Sequence, residues 1–104
     1  MPTVNCPVKG FEHLSVTWPD EWLMEHREKC FRGYYKAPSD ASPTTKETFG
    51  TLELCQVEST DKEKPLPDFT NFEKLPLKYV QFFKWLSDTV FDSYSAEFEP
   101  DPNS

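Results

Sequence analysis

Apolar residues recur along the chain at two spacings, every second residue near the amino terminus and every third or fourth further on. Val4–Val8 and Phe11–Trp18 are short β-prone runs separated by Lys9-Gly10, the arrangement of a hairpin whose turn takes its positive φ from glycine. In the second run Leu14, Val16 and Trp18 alternate with His13, Ser15 and Thr17, so one face of the ribbon is apolar and the other polar. An isolated hairpin is marginal in water, so this one is expected to lean on a helix.

The first helix is expected to begin at once. Pro19 suits the first helical position, and Asp20 and Glu21 place negative charge at the positive end of the helix dipole. Trp22, His26, Cys30 and Tyr34 then recur every four residues, beside a second row of Leu23, Phe31 and Tyr35. Together they predict a broad stripe facing the core, with Glu21, Glu25, Glu28, Lys29 and Arg32 on the remaining surface and the end near Lys36. Trp18 and Trp22, flanking Pro19, read as a strand-to-helix packing cluster, and Gly33 weakens the last turn by about 1 kcal/mol relative to alanine.

Thr44-x-x-Glu47 has the form of a capping box opening a second helix, with Phe49, Leu52 and Gln56 at helical spacing. Thr51–Val57 also alternates as a strand does, so periodicity leaves both open for 44–57, and helix is the preferred assignment. Two proline-bearing polar segments, at about 37–43 and 58–68, read as mobile connectors.

The last element has the clearest period. Pro76 opens a helix in which Leu77, Val80, Phe83, Leu86, Val90, Phe91, Tyr94 and Phe98 line one face, opposite Lys78, Gln81, Lys84, Asp88, Asp92, Ser95 and Glu99. Phe69 and Phe72 are expected to fold back onto it. Pro100 and Pro102 stop it, leaving a short, frayed acidic end at 100–104. These elements define an α+β fold, mainly α, with an N-terminal β-hairpin packed on about three helices. At 104 residues the chain is expected to be a single domain, 1–104.

Composition narrows the function. Eleven basic against eighteen acidic side chains leave a net charge of −7, which argues against direct binding to nucleic acid or an anionic membrane and points to protein partners, basic ones in particular. The charge is uneven: residues 1–87 hold all 11 basic and 13 acidic groups, whereas 88–104 hold Asp88, Asp92, Glu97, Glu99 and Asp101 with no base. These acids lie at the negative end of the last helix, where stability alone disfavours them. That end is therefore the candidate docking surface, comprising Trp85, Asp88, Phe91, Asp92, Tyr94, Glu97, Phe98, Glu99 and Asp101. The 3 Trp, 4 Tyr and 9 Phe exceed the needs of one small core, which points also to a homo-oligomer.

Catalytic chemistry finds little to use. Only His13 and His26 are present; His26 lies one turn from Cys30, a pairing that serves a thiol nucleophile or half a zinc site, but Cys6 and Cys55 stand at no recognised ligand spacing. The glycines Gly10, Gly33 and Gly50 are too scattered for a phosphate loop. No catalytic residue, metal ligand or cofactor is assigned, and the chain is read as a non-enzyme. It shows neither a signal peptide nor an 18-residue apolar stretch, so it is expected to be soluble and cytoplasmic, with three free thiols in a reducing compartment.

Two stretches carry a family resemblance. Val16-Thr17-Trp18-Pro19-Asp20-Glu21-Trp22-Leu23-x-Glu25-His26 resembles the ribbon-to-helix junction of small tail-assembly-chaperone-like proteins encoded among the structural genes of tailed phages and prophages. Phe72-Glu73-Lys74-Leu75-Pro76-Leu77, followed by a tryptophan-containing amphipathic helix and a proline-rich acidic end, is similar to their other half. The resemblance implies a non-enzymatic protein that binds virion proteins in the cytoplasm of a bacterial host, and it carries over no functional residues. The acidity leaves two alternatives: a small phage inhibitor of a host defence nuclease, DNA-mimicking or anti-CRISPR-like, or a bacterial regulator that sequesters a basic protein.

Overall fold

A computed structural model of the chain describes residues 1–98. Three strands, β1 (Thr3–Asn5), β2 (Leu14–Thr17) and β3 (Gln56–Ser59), form an antiparallel sheet in the order β1-β2-β3. Helices α1 (Met24–Lys36) and α2 (Pro43–Leu52) lie between β2 and β3 in the chain. A 3-10 turn at Phe72–Lys74 leads to a continuous final helix composed of α3 (Tyr79–Leu86), a π-helical segment (Ser87–Phe91) and α4 (Asp92–Ser95). The fold is α+β and mainly α, with the hairpin first, as the pattern of the chain predicts.

The hairpin is shorter than its apolar runs. Thr3 pairs with Thr17, Val4 with Val16 and Asn5 with Ser15. The intervening loop turns at Gly10, whose φ of 94° suits a residue without a side chain, and it drops Cys6 and Phe11 into the core. Val4, Val16 and Val57 form one cross-strand row on the inner face, where Leu14 and Val16 are wholly buried. The outer face carries Thr3, Thr17 and Gln56 in one row and Asn5, Ser15 and Glu58 in the next.

The alternation over 51–57 and the helical period before it are both real, in succession. α2 ends at Leu52, the Glu53 and Leu54 amides bond back to Gly50 and Thr51 as the helix closes, and the chain then extends along β2 as β3. The single helix preferred for 44–57 is thus corrected to helix followed by strand, and Glu58 and Ser59 belong to the sheet.

Both early helix starts differ from expectation for local reasons. Residues 19–23 remain outside α1, because the backbone amide of Leu23, extended at φ −112° and ψ 164°, donates to His26 Nδ1 at 2.8 Å. That bond caps the helix one turn after the acidic residues expected to open it. In α2 the cap is Ser42, whose hydroxyl accepts from the Thr45 amide at 3.2 Å with Pro43 at the first helical position; Glu47 instead accepts from the Ser87 hydroxyl at 3.1 Å.

α1 and α2 cross through glycine. A side chain at Gly33 would lie 2.5 Å from the Phe49 carbonyl oxygen, and one at Gly50 would lie 3.0 Å from Cys30 Sγ. Gly33 therefore sets the spacing of the helix pair. A Lys36–Glu53 ion pair at 2.8 Å closes the far end of the crossing.

The final helix starts at Tyr79, after a tight turn in which the amides of Tyr79, Val80 and Gln81 each reach the carbonyl three residues back. Its core row is Phe82, Leu86, Val90 and Tyr94, all buried, while Leu77 is 85% exposed and Val80 is also exposed. The expected stripe is corrected here: Leu77, Val80 and Phe98 leave it, and Phe82 enters. A strict four-residue spacing over three turns needs 12 residues, about one more than the 10.8 of an α-helix. The π-helical segment supplies that extra residue and keeps Val90 and Tyr94 in line with Phe82 and Leu86. Phe69 and Phe72 fold back onto this helix as expected, stacking on Phe82 and Phe83 at centroid distances of 6.4 and 5.4 Å.

Candidate protein-interaction surface

The described residues of the carboxyl-terminal surface divide between exterior and core. Asp88, Asp92 and Glu97 are exposed, as is Phe98. Trp85 and Phe91 are half-buried, their rings leaning on Phe82 at 6.1 Å and on Tyr94 at 5.8 Å. Tyr94 is only 5% exposed, so it serves the core and offers no ring to a partner. Glu99 and Asp101, like the acidic end at 100–104, lie outside the described residues.

Tyr94 also joins the last helix to α1. Trp22 and Phe98 meet its ring edge-on at 5.5 and 5.1 Å, and Trp22 Nε1 donates to the Ser93 hydroxyl at 3.2 Å. Burial, with the neighbouring Cys30 thiol, pushes the Tyr94 hydroxyl up to about 12. The strand-to-helix junction is thereby fixed on the acidic helix at its inner side.

The sequence reading of α1 needs a larger correction. Cys30 and Gly33 are buried, but Phe31, Tyr34 and Tyr35, expected in the core stripe, are exposed together with Leu23 and Met24. At about 100° per residue, Met24, Phe31 and Tyr35 lie within about 40° of one another, on the side of the helix away from Cys30 and Gly33. Arg27 and Arg32 flank them, the Arg27 guanidinium lying 4.8 Å from the Phe31 ring centre. α1 carries Arg27, Lys29, Arg32 and Lys36 against Glu25 and Glu28, a local excess of base on an acidic chain. One signal was available in the sequence: six large apolar or aromatic residues from Trp22 to Tyr35 span more of a helix than one neighbour covers.

The chemically suggestive residues have structural partners. His26 caps α1 through Nδ1 and meets the Trp22 ring edge-on at 5.5 Å. The neighbour of the Cys30 thiol is the Tyr94 hydroxyl, so the His26–Cys30 pairing is replaced by two separate contacts. Burial raises all three thiols, Cys55 to about 12, and a protonated thiol is a poor nucleophile. Among the described residues, no three His, Cys, Asp or Glu side chains come together to hold a metal ion.

A cleft of about 400 Å³ runs between α2 and the last helix, lined by Ser42, Thr45, Thr48, Phe72, Val80 and Phe83 among others. Three of its hydroxyls have partners within the chain: Ser42 donates to Thr45, Thr48 to the Thr44 carbonyl and Ser87 to the Glu47 carboxylate. Every buried side-chain nitrogen or oxygen among the described residues has a hydrogen-bond partner. The cleft therefore presents mainly apolar surface with no buried unsatisfied polar group, and its charged groups, Lys84 and Asp88, stand exposed at its edge. Among the described residues, no helix is long and apolar enough to cross a membrane.

Set beside known protein families, curated proteins and solved structures, the chain matches none of them.

Proposed function

We propose that the chain is a non-enzymatic protein-interaction module that acts in the assembly of a phage or prophage tail, as a chaperone-like or accessory structural protein in the host cytoplasm. The observation that carries this reading is the apolar surface left over once the core is complete. Phe82, Leu14, Leu86, Val16 and Val90 are fully buried, yet Met24 and Tyr35 on α1, Val80 on the last helix, and Leu77 and Phe98 just beyond its two ends remain exposed. Exposed rings bordered by charge suit contact with another protein, where aromatic residues supply most of the affinity. Raised thiols and a histidine committed to capping further support a binding role over a catalytic one.

The test begins with the neighbouring genes. The reading expects a major tail protein and a tape-measure gene beside this one. It also expects the chain, coexpressed with either product, to form a complex by size-exclusion chromatography with light scattering. A location among anti-defence genes, with a salt-sensitive complex to a nuclease that DNA competes away, would replace the assembly role by that of an acidic inhibitor.

A further inference from the structure

α1 presents a basic, aromatic face outward, and the last helix presents an acidic one. We propose that these two faces bind each other between copies of the chain, so that the protein self-associates through α1 of one copy and the last helix of another. The occupant is argued from charge. On α1, Arg27 and Arg32 bracket Phe31 and Tyr35; of the two, only Arg27 has an acidic neighbour among the described residues, Glu28 at a loose 4.0 Å. On the last helix, Asp88 and Asp92 stand between the half-buried rings of Trp85 and Phe91. Asp92 and Glu97 have no basic partner among the described residues, and Asp88 has Lys84 at 3.5 Å.

Arg27 and Arg32 lie about 140° apart around α1, one on each side of the row that holds Phe31, while Asp88 and Asp92 lie a turn apart on one side of the last helix, so the two long side chains can reach the carboxylates from either side of Phe31. Within one chain the faces do not meet. Trp22, just before α1, and Cys30 on it already contact the last helix at Ser93 and Tyr94, and Arg27, Arg32, Asp88 and Asp92 are all exposed. A second copy offers each face its complement. Met24, 69% exposed, and Tyr35, 80% exposed, would be covered by that contact. The proposal is independent of the phage reading, because it needs no other protein.

Sedimentation velocity on the full chain across a wide concentration range, at low and high salt, tests it. The expected result is association at low salt that weakens as salt screens the pairs. R27E/R32E and D88K/D92K, both surface variants checked for fold by circular dichroism, should each weaken self-association roughly tenfold or more, since attraction at two pairs becomes repulsion. An equimolar mixture of the two should restore a heterotypic complex. F31S gives a second reading without a charge change and should also weaken association. A chain that stays monomeric throughout, association untouched by either reversal, or a mixture no stronger than its components would overturn the proposal.

Discussion

Gly33→Ala separates helix propensity from packing, because the two predict opposite signs. In a helix interior, alanine is favoured over glycine by about 1 kcal/mol, so propensity alone predicts a more stable protein. The crossing of α1 and α2 predicts the reverse. The new Cβ would sit 2.5 Å from the Phe49 carbonyl oxygen and 3.0 Å from Gly50 Cα, about 0.9 Å inside the 3.4 Å at which ordinary contact begins for the nearer atom. Both atoms are backbone, so relief requires the helices to part, which strains the Lys36–Glu53 pair and the packing of Cys30 against Gly50. Overpacking of this kind costs about 1–3 kcal/mol, and a backbone obstacle places it near the upper end. Set against the propensity gain, the net loss is about 2 kcal/mol, on the order of 10 °C in Tm for a domain this size.

Urea unfolding followed by tryptophan fluorescence, with a thermal scan, measures the effect. Glu53→Ala is the informative control, since Glu53 Cγ lies 2.6 Å from the same Cβ position. The double variant should recover little, because the Phe49 carbonyl stays in place. A G33A protein as stable as the parent, or more so, would refute the close crossing.

Three further outcomes are expected. Ser42→Ala should cost about 1 kcal/mol by removing the α2 cap, while Thr44→Ala costs little; the reverse order in urea midpoints would restore the capping box at Thr44. Stability should fall as pH rises above about 9, where the unfolded chain releases thiol and phenol protons that the folded chain retains. Cys55 is raised from 9.0 to about 12 and Tyr94 from 10.0 to about 12, so the loss runs from about pH 9 towards pH 12. The slope is about 1.4 kcal/mol per pH unit for each such proton, and an unchanged urea midpoint between about pH 8 and 10.5 would contradict it. Trp22→Phe and Ser93→Ala should each cost about 1 kcal/mol and the pair less than their sum, reflecting one shared hydrogen bond; strict additivity in a double-mutant cycle would remove that bond from the account.

Much of the architecture was readable because period reports burial where one face of an element packs and the other is wet. β2 shows this most plainly: Leu14 and Val16 are fully buried, with Ser15 and Thr17 between them. Boundaries were harder, since they depend on single hydrogen bonds. Pro19-Asp20-Glu21 is as good a helix start on paper as any, yet a histidine acceptor five residues further on decides the matter. Segment 51–57 was ambiguous for a different reason. Its two periods belong to two elements joined by a turn of only three residues, and a window that covers both reports neither.

The outer face of α1 was less readable because a helix buried on one face and bare on the other has the same composition as a helix buried on both. Phe31 and Tyr35 looked like core when counted with Cys30, since periodicity ranks residues by angle and carries no information about what stands at that angle. The small residues were the better guide. Cys30 and Gly33 mark where another helix comes closest, and a close neighbour leaves the opposite side of α1 without cover. The same logic moved Tyr94 inward: once a π-helical segment absorbs one residue, the row that starts at Phe82 runs through Tyr94, and its acidic neighbours Asp88 and Asp92 turn out. On both helices, then, the inward contact determines which charges and rings are left exposed, basic on α1 and acidic on the last helix.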